Sequence, residues 1–170
     1  MKAKTDKIKV IDEISKEYET LAQKHSNKEN KPLVFTSLPW NDTWHTPGGN
    51  TYTAQLIKDA GGKYVFENDT NSINYQYDLE IVFQKAANAD IWINTGSASK
   101  LNDINGMDER LTLFNAYKNQ KVYNNNLRSL PGGGSDYMES GVVNPHLILQ
   151  DLIHIFNQDS DDLNYYQKLQ

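Results

Sequence analysis

Residues 33–52 read LVFTSLPWNDTWHTPGGNTY. Leu33, Val34 and Phe35 stand in a row with Thr36 and Ser37 behind them, as in a short strand covered on both faces; a half-exposed strand would alternate apolar with polar residues. After a loop at 38–50, spaced apolar residues predict a helix over roughly 50–60 that stops at Gly61-Gly62, a pair suited to the left-handed turn that ends helices. Strand, loop and helix in this order make one unit of a parallel sheet.

The order repeats downstream. Tyr64-Val65-Phe66 predicts a strand, Tyr77 to Ala87 a helix with Leu79, Val82, Phe83 and Ala86 on one face, and Asp90 to Asn94 another strand. A helix is predicted near 107–118 with Leu111, Phe114 and Tyr117 inward, then a strand at Lys121 to Tyr123. Beyond the turn-rich segment from Asn124 to Gly141, Asn144 reads as a helix cap with Pro145 in the first helical position, and Leu149, Leu152, Ile153 and Phe156 mark the buried face. Upstream, Ile8, Ile11, Ile14, Tyr18 and Leu21 predict an amphipathic helix from about 5 to 24. The expected fold is α/β, a three-layer α/β/α sandwich with a mostly parallel central sheet. Ligand sites in such sheets lie beyond the carboxyl ends of the strands, where this sequence has loops at 38–50, 67–76, 95–106 and 124–143.

Composition narrows the function. A chain of 170 residues suits one domain, and a formal charge of -5 argues against nucleic-acid binding. There is no cysteine, hence no disulfide or thiolate metal site. As written, the sequence has no apolar run long enough to span a membrane and no apolar signal segment. His25, His45, His146 and His154 are too scattered to aim two metal ligands from one helix face, so no metal site is expected. No serine lies in a Gly-x-Ser-x-Gly elbow, and Asp78 and Glu80 suit the first turn of a helix, where the dipole favours carboxylates. The loop PGGGSDY, residues 131–137, lacks the lysine of a phosphate cradle, and Gly48-Gly49 lacks the third glycine of a dinucleotide fingerprint. Enzyme chemistry finds no anchor, and no cofactor is expected. What remains is the aromatic loop, with two readings left open: Trp40, Trp44 and Tyr52 pack on the sheet as core, or they offer rigid faces to a ligand.

Several segments together resemble a known family. Trp44-x-x-Pro47-Gly48-Gly49-x-x-Tyr52, Asp59-Ala60-Gly61-Gly62, Ala89-Asp90-Ile91-Trp92-Ile93, Lys121-Val122-Tyr123, Pro145-x-x-x-Leu149-x-Asp151-Leu152 and Tyr165-Tyr166-x-x-Leu169 occur in an order similar to the C-terminal half of ABC-transporter solute-binding proteins. The branch resembled serves iron-siderophore, haem and cobalamin uptake. The resemblance implies two lobes joined by a long helix, with the chelate in a shallow cleft between them. Residues 1–30 would then be the end of the inter-lobe helix and a linker, residues 31–170 the C-terminal lobe, and the N-terminal lobe would be missing here. It also implies a non-catalytic protein, periplasmic or a membrane-anchored extracytoplasmic lipoprotein in its full-length form, that works with ABC permease subunits. Ligand contacts are expected from Trp40, Trp44, His45, Tyr52, Trp92, Asn125 and Tyr137, and a permease contact from Glu80. Two rivals stand beside this reading: a flavodoxin-like or nitrogenase-like enzyme with a cofactor at the strand ends, and a partner-binding domain that buries the rim from Trp40 to Tyr52.

Overall fold

The computed structural model of the chain describes residues 2–130 and 132–170; Met1 and Pro131, the first residue of the PGGGSDY loop, lie outside the described residues. In chain order the elements are α1 (Lys2–His25), β1 (Leu33–Thr36), β2 (Pro39–Trp40), β3 (Thr43–Pro47), α2 (Tyr52–Asp59), β4 (Lys63–Tyr64), β5 (Asn74–Asp78), α3 (Leu79–Ala86), β6 (Ile91–Ile93) and α4 (Leu101–Met107). A 3-10 turn (Glu109–Leu113) follows, then α5 (Asn115–Lys118), β7 (Val122–Asn124), α6 (Asp136–Val143), α7 (Pro145–Asn157) and β8 (Gln167–Lys168).

The central sheet has the order β4-β1-β6-β7-β8. β4, β1, β6 and β7 are parallel, and β8 returns antiparallel to β7. From β1 the chain passes through α2 to β4 on one side, then crosses back through α3 to β6 on the other. Strand order therefore reverses between β1 and β6, which opens a crevice at their carboxyl tips. α1 packs on α2 and α7, while α3 packs on β1 and α5 on β6. The expected α/β architecture with a mainly parallel sheet is the one observed.

The loop expected at 38–50 is instead a hairpin. Asn41 and Asp42 both adopt positive φ, 49° and 62°, the backbone of the two-residue turn whose twist matches paired strands. β5 pairs antiparallel with β3, giving a second sheet of order β2-β3-β5. Alternation of Trp44 and Thr46, wholly buried, with an exposed His45 is the half-buried strand pattern. The single helix expected at 107–118 is also corrected. Asp108 leaves helical geometry, with φ -160°, and its carboxylate accepts from the Arg110 amide, which starts the 3-10 turn. Asn144 precedes α7 as expected, but its side-chain amide donates to the Ser140 carbonyl at 2.8 Å and does not cap the helix.

Phe35, Trp44, Phe83, Trp92 and Phe114 form one aromatic cluster between the sheet and α3. Phe35 stacks on Trp92 at 4.7 Å, Phe83 on Phe114 at 4.4 Å, and Trp44 leans on Trp92 at 5.9 Å. Two of these pairs are stacked and the third tilted, arrangements that aromatic rings favour over a face-to-face sandwich. On the other face the Tyr18 hydroxyl donates to Asp59 at 2.7 Å and joins α1 to α2. Toward its N-terminus α1 leaves Ile8, Val10 and Ile11 more than half exposed.

Thr51 starts α2: its hydroxyl donates to the Gly48 carbonyl at 2.8 Å and accepts from the Ala54 amide at 3.3 Å. Thr51→Ala is expected to cost about 1 kcal/mol, the usual loss of an N-cap side chain, measurable as a lower urea midpoint at unchanged slope. A midpoint equal to the parent's would contradict the cap.

Candidate functional site

The carboxyl tips of β1 and β6 end in Ser37 and Asn94, both left-handed, with φ of 74° and 57°. Asparagine reaches this region at modest cost; serine does so less readily and needs support. The support comes from the core. Trp44 Nε1 donates to the Thr36 carbonyl and Trp92 Nε1 to the Ser37 carbonyl, each at 2.8 Å, while the Ser37 amide bonds the Ile93 carbonyl at 3.3 Å. Both indoles have 0% exposure. Trp44 and Trp92, expected as ligand contacts, therefore offer no face to a ligand: they hold the β1 tip from below.

The loop after β6 is fastened by the asparagines that end β7. Asn124 is buried and its side-chain amide donates to the carbonyls of Gly96 and Ala98, both at 2.8 Å; Asn126 reaches Ala98 at 3.2 Å. Within this loop the Thr95 hydroxyl is fully buried and meets no hydrogen-bonding partner among the described residues. The Tyr166 hydroxyl donates to Asn94 Oδ1 at 2.8 Å, and Tyr137 lies edge-on to Tyr166 with ring centres 5.8 Å apart.

Burial is the main cause that raises the Tyr137 phenol above its ordinary value, opposed by hydrogen bonds with Tyr166 and Asn125. Burial likewise pushes Tyr52 up to about 12 and raises Tyr166 well above the usual range. These phenols stay neutral at neutral pH, and that of Tyr166 donates to Asn94. Tyr52, the first residue of α2, is half-exposed and lies within electrostatic reach of Tyr137. Arg128 completes the wall. Its guanidinium lies 4.2 Å over the Tyr165 ring and Nε bonds Asp136 at 3.0 Å, so the planar fork is held in one orientation.

From the expected set the structure brings Asn125 and Tyr137 together, with the half-exposed Tyr52 at the start of α2. Trp40 is 71% exposed on the first arm of the hairpin, beside the Asn41-Asp42 turn, where Asp42 is paired with Arg110. His45 is on the solvent face of β3 opposite Gln76, and Glu80 is exposed in the first turn of α3. Asn94 and Thr95 were not singled out by sequence reasoning, Tyr166 entered only within a family motif, and Arg128 only as part of the 124–137 loop. The clues were the Asn run at 124–126 and an Asn directly after the apolar IWI of β6, since asparagine at a strand end tolerates a left-handed turn.

At the Gly48-Gly49 segment the amides on either side of Gly49 are taken by the neighbouring loop. The Gly48 amide bonds the Ile73 carbonyl at 3.1 Å and the Asn50 amide the Asn71 carbonyl at 3.0 Å. Among the described residues no three His, Asp or Glu side chains gather as a metal set, and no helix is long and apolar enough to cross a membrane.

Comparison with known proteins bears on this geometry. An uncharacterized lipoprotein of Methanocaldococcus jannaschii is 25% identical over 135 residues, covering 78% of this chain and 31% of its own length. A periplasmic solute-binding protein from Veillonella parvula superposes with a TM-score of 0.65 at 19% identity, over 89% of this chain and 44% of its own. The IsdE protein of S. aureus, solved in complex with haem, superposes with a TM-score of 0.57 at 18% identity, over 85% of this chain and 55% of its own. The chain therefore spans about a third of that curated relative and about half of each of these solved structures. The family model described as periplasmic binding protein matches residues 5–126. That match contains both tips at the strand-order reversal, and the chain belongs to the periplasmic binding protein family.

Proposed function

We propose that this chain is the ligand-binding lobe of an ABC-transporter solute-binding protein that captures an iron complex, siderophore or haem, or cobalamin, and passes it to permease subunits. The observation that carries the proposal is the wall of hydrogen-bonding groups beyond the tips of β6 and β7: Asn94, Asn125, the oriented Arg128 and Tyr137 of α6. Such a wall suits a polar, oxygen-rich chelate, and haem in the S. aureus neighbour supports the ligand class. The lobe acts by binding and leaves transport to an ATPase elsewhere. An opposing lobe closes the cleft in the full-length protein; the greater length of the relatives and the uncovered apolar stripe of α1 support this. A relative that is a lipoprotein supports an extracytoplasmic, membrane-anchored location. Glu80 is the proposed permease contact, and Trp40 a rim contact at the hairpin.

The test is a fluorescence titration of the full two-lobed protein with ferric siderophores, haem and cobalamin. Saturable quenching by one of them is expected, and silence toward all three would overturn the ligand class. Arg128→Ala is expected to weaken that binding about tenfold to a hundredfold, the worth of a charge-assisted hydrogen bond. Unchanged affinity would remove Arg128 from the site.

A further inference from the structure

Asp151 is a carboxylate of 0% exposure inside α7. A buried charge is stable only where hydrogen bonds replace its water. Here one short segment supplies them all. Oδ1 accepts from the Asn164 amide at 2.8 Å and from the Asn164 side chain at 2.9 Å; Oδ2 accepts from the amides of Tyr165 at 2.7 Å and Tyr166 at 3.2 Å. Three successive backbone N–H groups converge on one side chain, which fixes the path and orientation of residues 164–166.

Those residues then touch the ligand wall from three directions. Tyr166 donates to Asn94 at the β6 tip at 2.8 Å. The Tyr165 ring carries the Arg128 guanidinium at 4.2 Å, and its hydroxyl meets Ser140 on α6 at 3.1 Å. Tyr137 stands edge-on to both rings, at 6.1 Å and 5.8 Å. We propose that Asp151 is the positioning residue of the cleft: through residues 164–166 it sets Asn94, Arg128 and Tyr137 in their places without touching a ligand. This rests on the ligand reading above only where binding is concerned. The positioning itself is a statement about the unliganded protein.

Asp151→Asn keeps the size but turns one acceptor into a donor that faces a backbone N–H, so part of the convergence is lost. The readout is hydrogen exchange at two groups remote from residue 151, the Ala98 amide, which closes the β6 loop on the Thr95 carbonyl at 3.1 Å, and the Arg128 Nε–H. Both are expected to exchange at least tenfold faster, while the amides of Val34 and Trp92 in the central strands change less than twofold. Tyr166→Phe, which leaves the Asp151 bonds intact, is expected to speed Ala98 exchange alone. Unchanged exchange at Ala98 and Arg128 in Asp151→Asn would overturn the proposal, as would an equal rise at Val34 and Trp92, which marks a residue that only stabilises the fold. Haem titration, in the same variants and in Asp59→Asn as a control at the α1–α2 contact, reads the second link. Asp151→Asn is expected to weaken haem binding about tenfold and the control less than twofold. Absence of haem binding in the parent protein would exclude haem as the ligand and leave the exchange result to decide the positioning.

Discussion

Trp92→Ala is expected to destabilise the protein by about 4 kcal/mol, the scale for truncating a large buried aromatic, and so to remove a large share of the roughly 5–15 kcal/mol available to a domain. Trp92 has 0% exposure and touches Phe35, Trp44 and Phe114 with ring centres at 4.7, 5.9 and 5.4 Å. Truncation opens a cavity in this cluster and leaves the Ser37 carbonyl without its indole donor. Trp92→Phe separates the two effects. It keeps most of the apolar volume and loses the hydrogen bond, for about 1–3 kcal/mol. Chemical denaturation followed by circular dichroism reads both. If Trp92 were a ligand contact on an open face, stability would barely change and only affinity would fall.

Gly49→Ala is the second large effect, about 3 kcal/mol, from overpacking against atoms that cannot rotate away. A Cβ at Gly49 would meet the Asp69 carbonyl oxygen, and those of Glu67 and Phe66 at 2.7 and 2.8 Å. All three belong to backbone, so the loop from 66 to 71 must move off the hairpin and α2 together. Gly134→Ala is the matched control. Its nearest neighbours are the side-chain atoms of Leu130, at an ordinary 3.5 Å, and its midpoint is expected to stay near the parent's. Equal midpoints for both variants would show that the approach of the two loops is not the reason for glycine at 49.

The same two residues show what a sequence reveals and what it withholds. Short apolar runs such as Leu33-Val34-Phe35 and Ile91-Trp92-Ile93 are legible as buried strands because covering on both faces removes the polar positions. Pro145 and the apolar stripe from Leu149 to Phe156 are legible as a helix for a similar local reason. The hairpin at 39–47 was missed because its evidence is a turn conformation at Asn41-Asp42 and a pairing with β5 that runs from Thr43 with Asp78 to Pro47 with Asn74. The aromatic loop left two readings open, and the structure divides them residue by residue: Trp44 is core, Trp40 is surface. A tryptophan's type tells only that it needs apolar contact and a partner for its N–H; which side supplies them is a tertiary matter. Arg128 and Asn94 escaped notice because their roles depend on Tyr165 and Tyr166, which arrive from the far end of the chain.

The proposed ligand wall lies at the tips of β1, β6 and β7. It is tested by amide chemical-shift mapping on the protein carrying the proposed opposing lobe, with gallium in place of iron in the siderophore or porphyrin to avoid paramagnetic broadening. The shifts are expected to concentrate on Ser37, Asn94 to Ala98, Asn125 to Arg128 and Tyr137. Shifts centred on the solvent face of β3 and β5, around His45 and Gln76, with the strand tips silent, would contradict it.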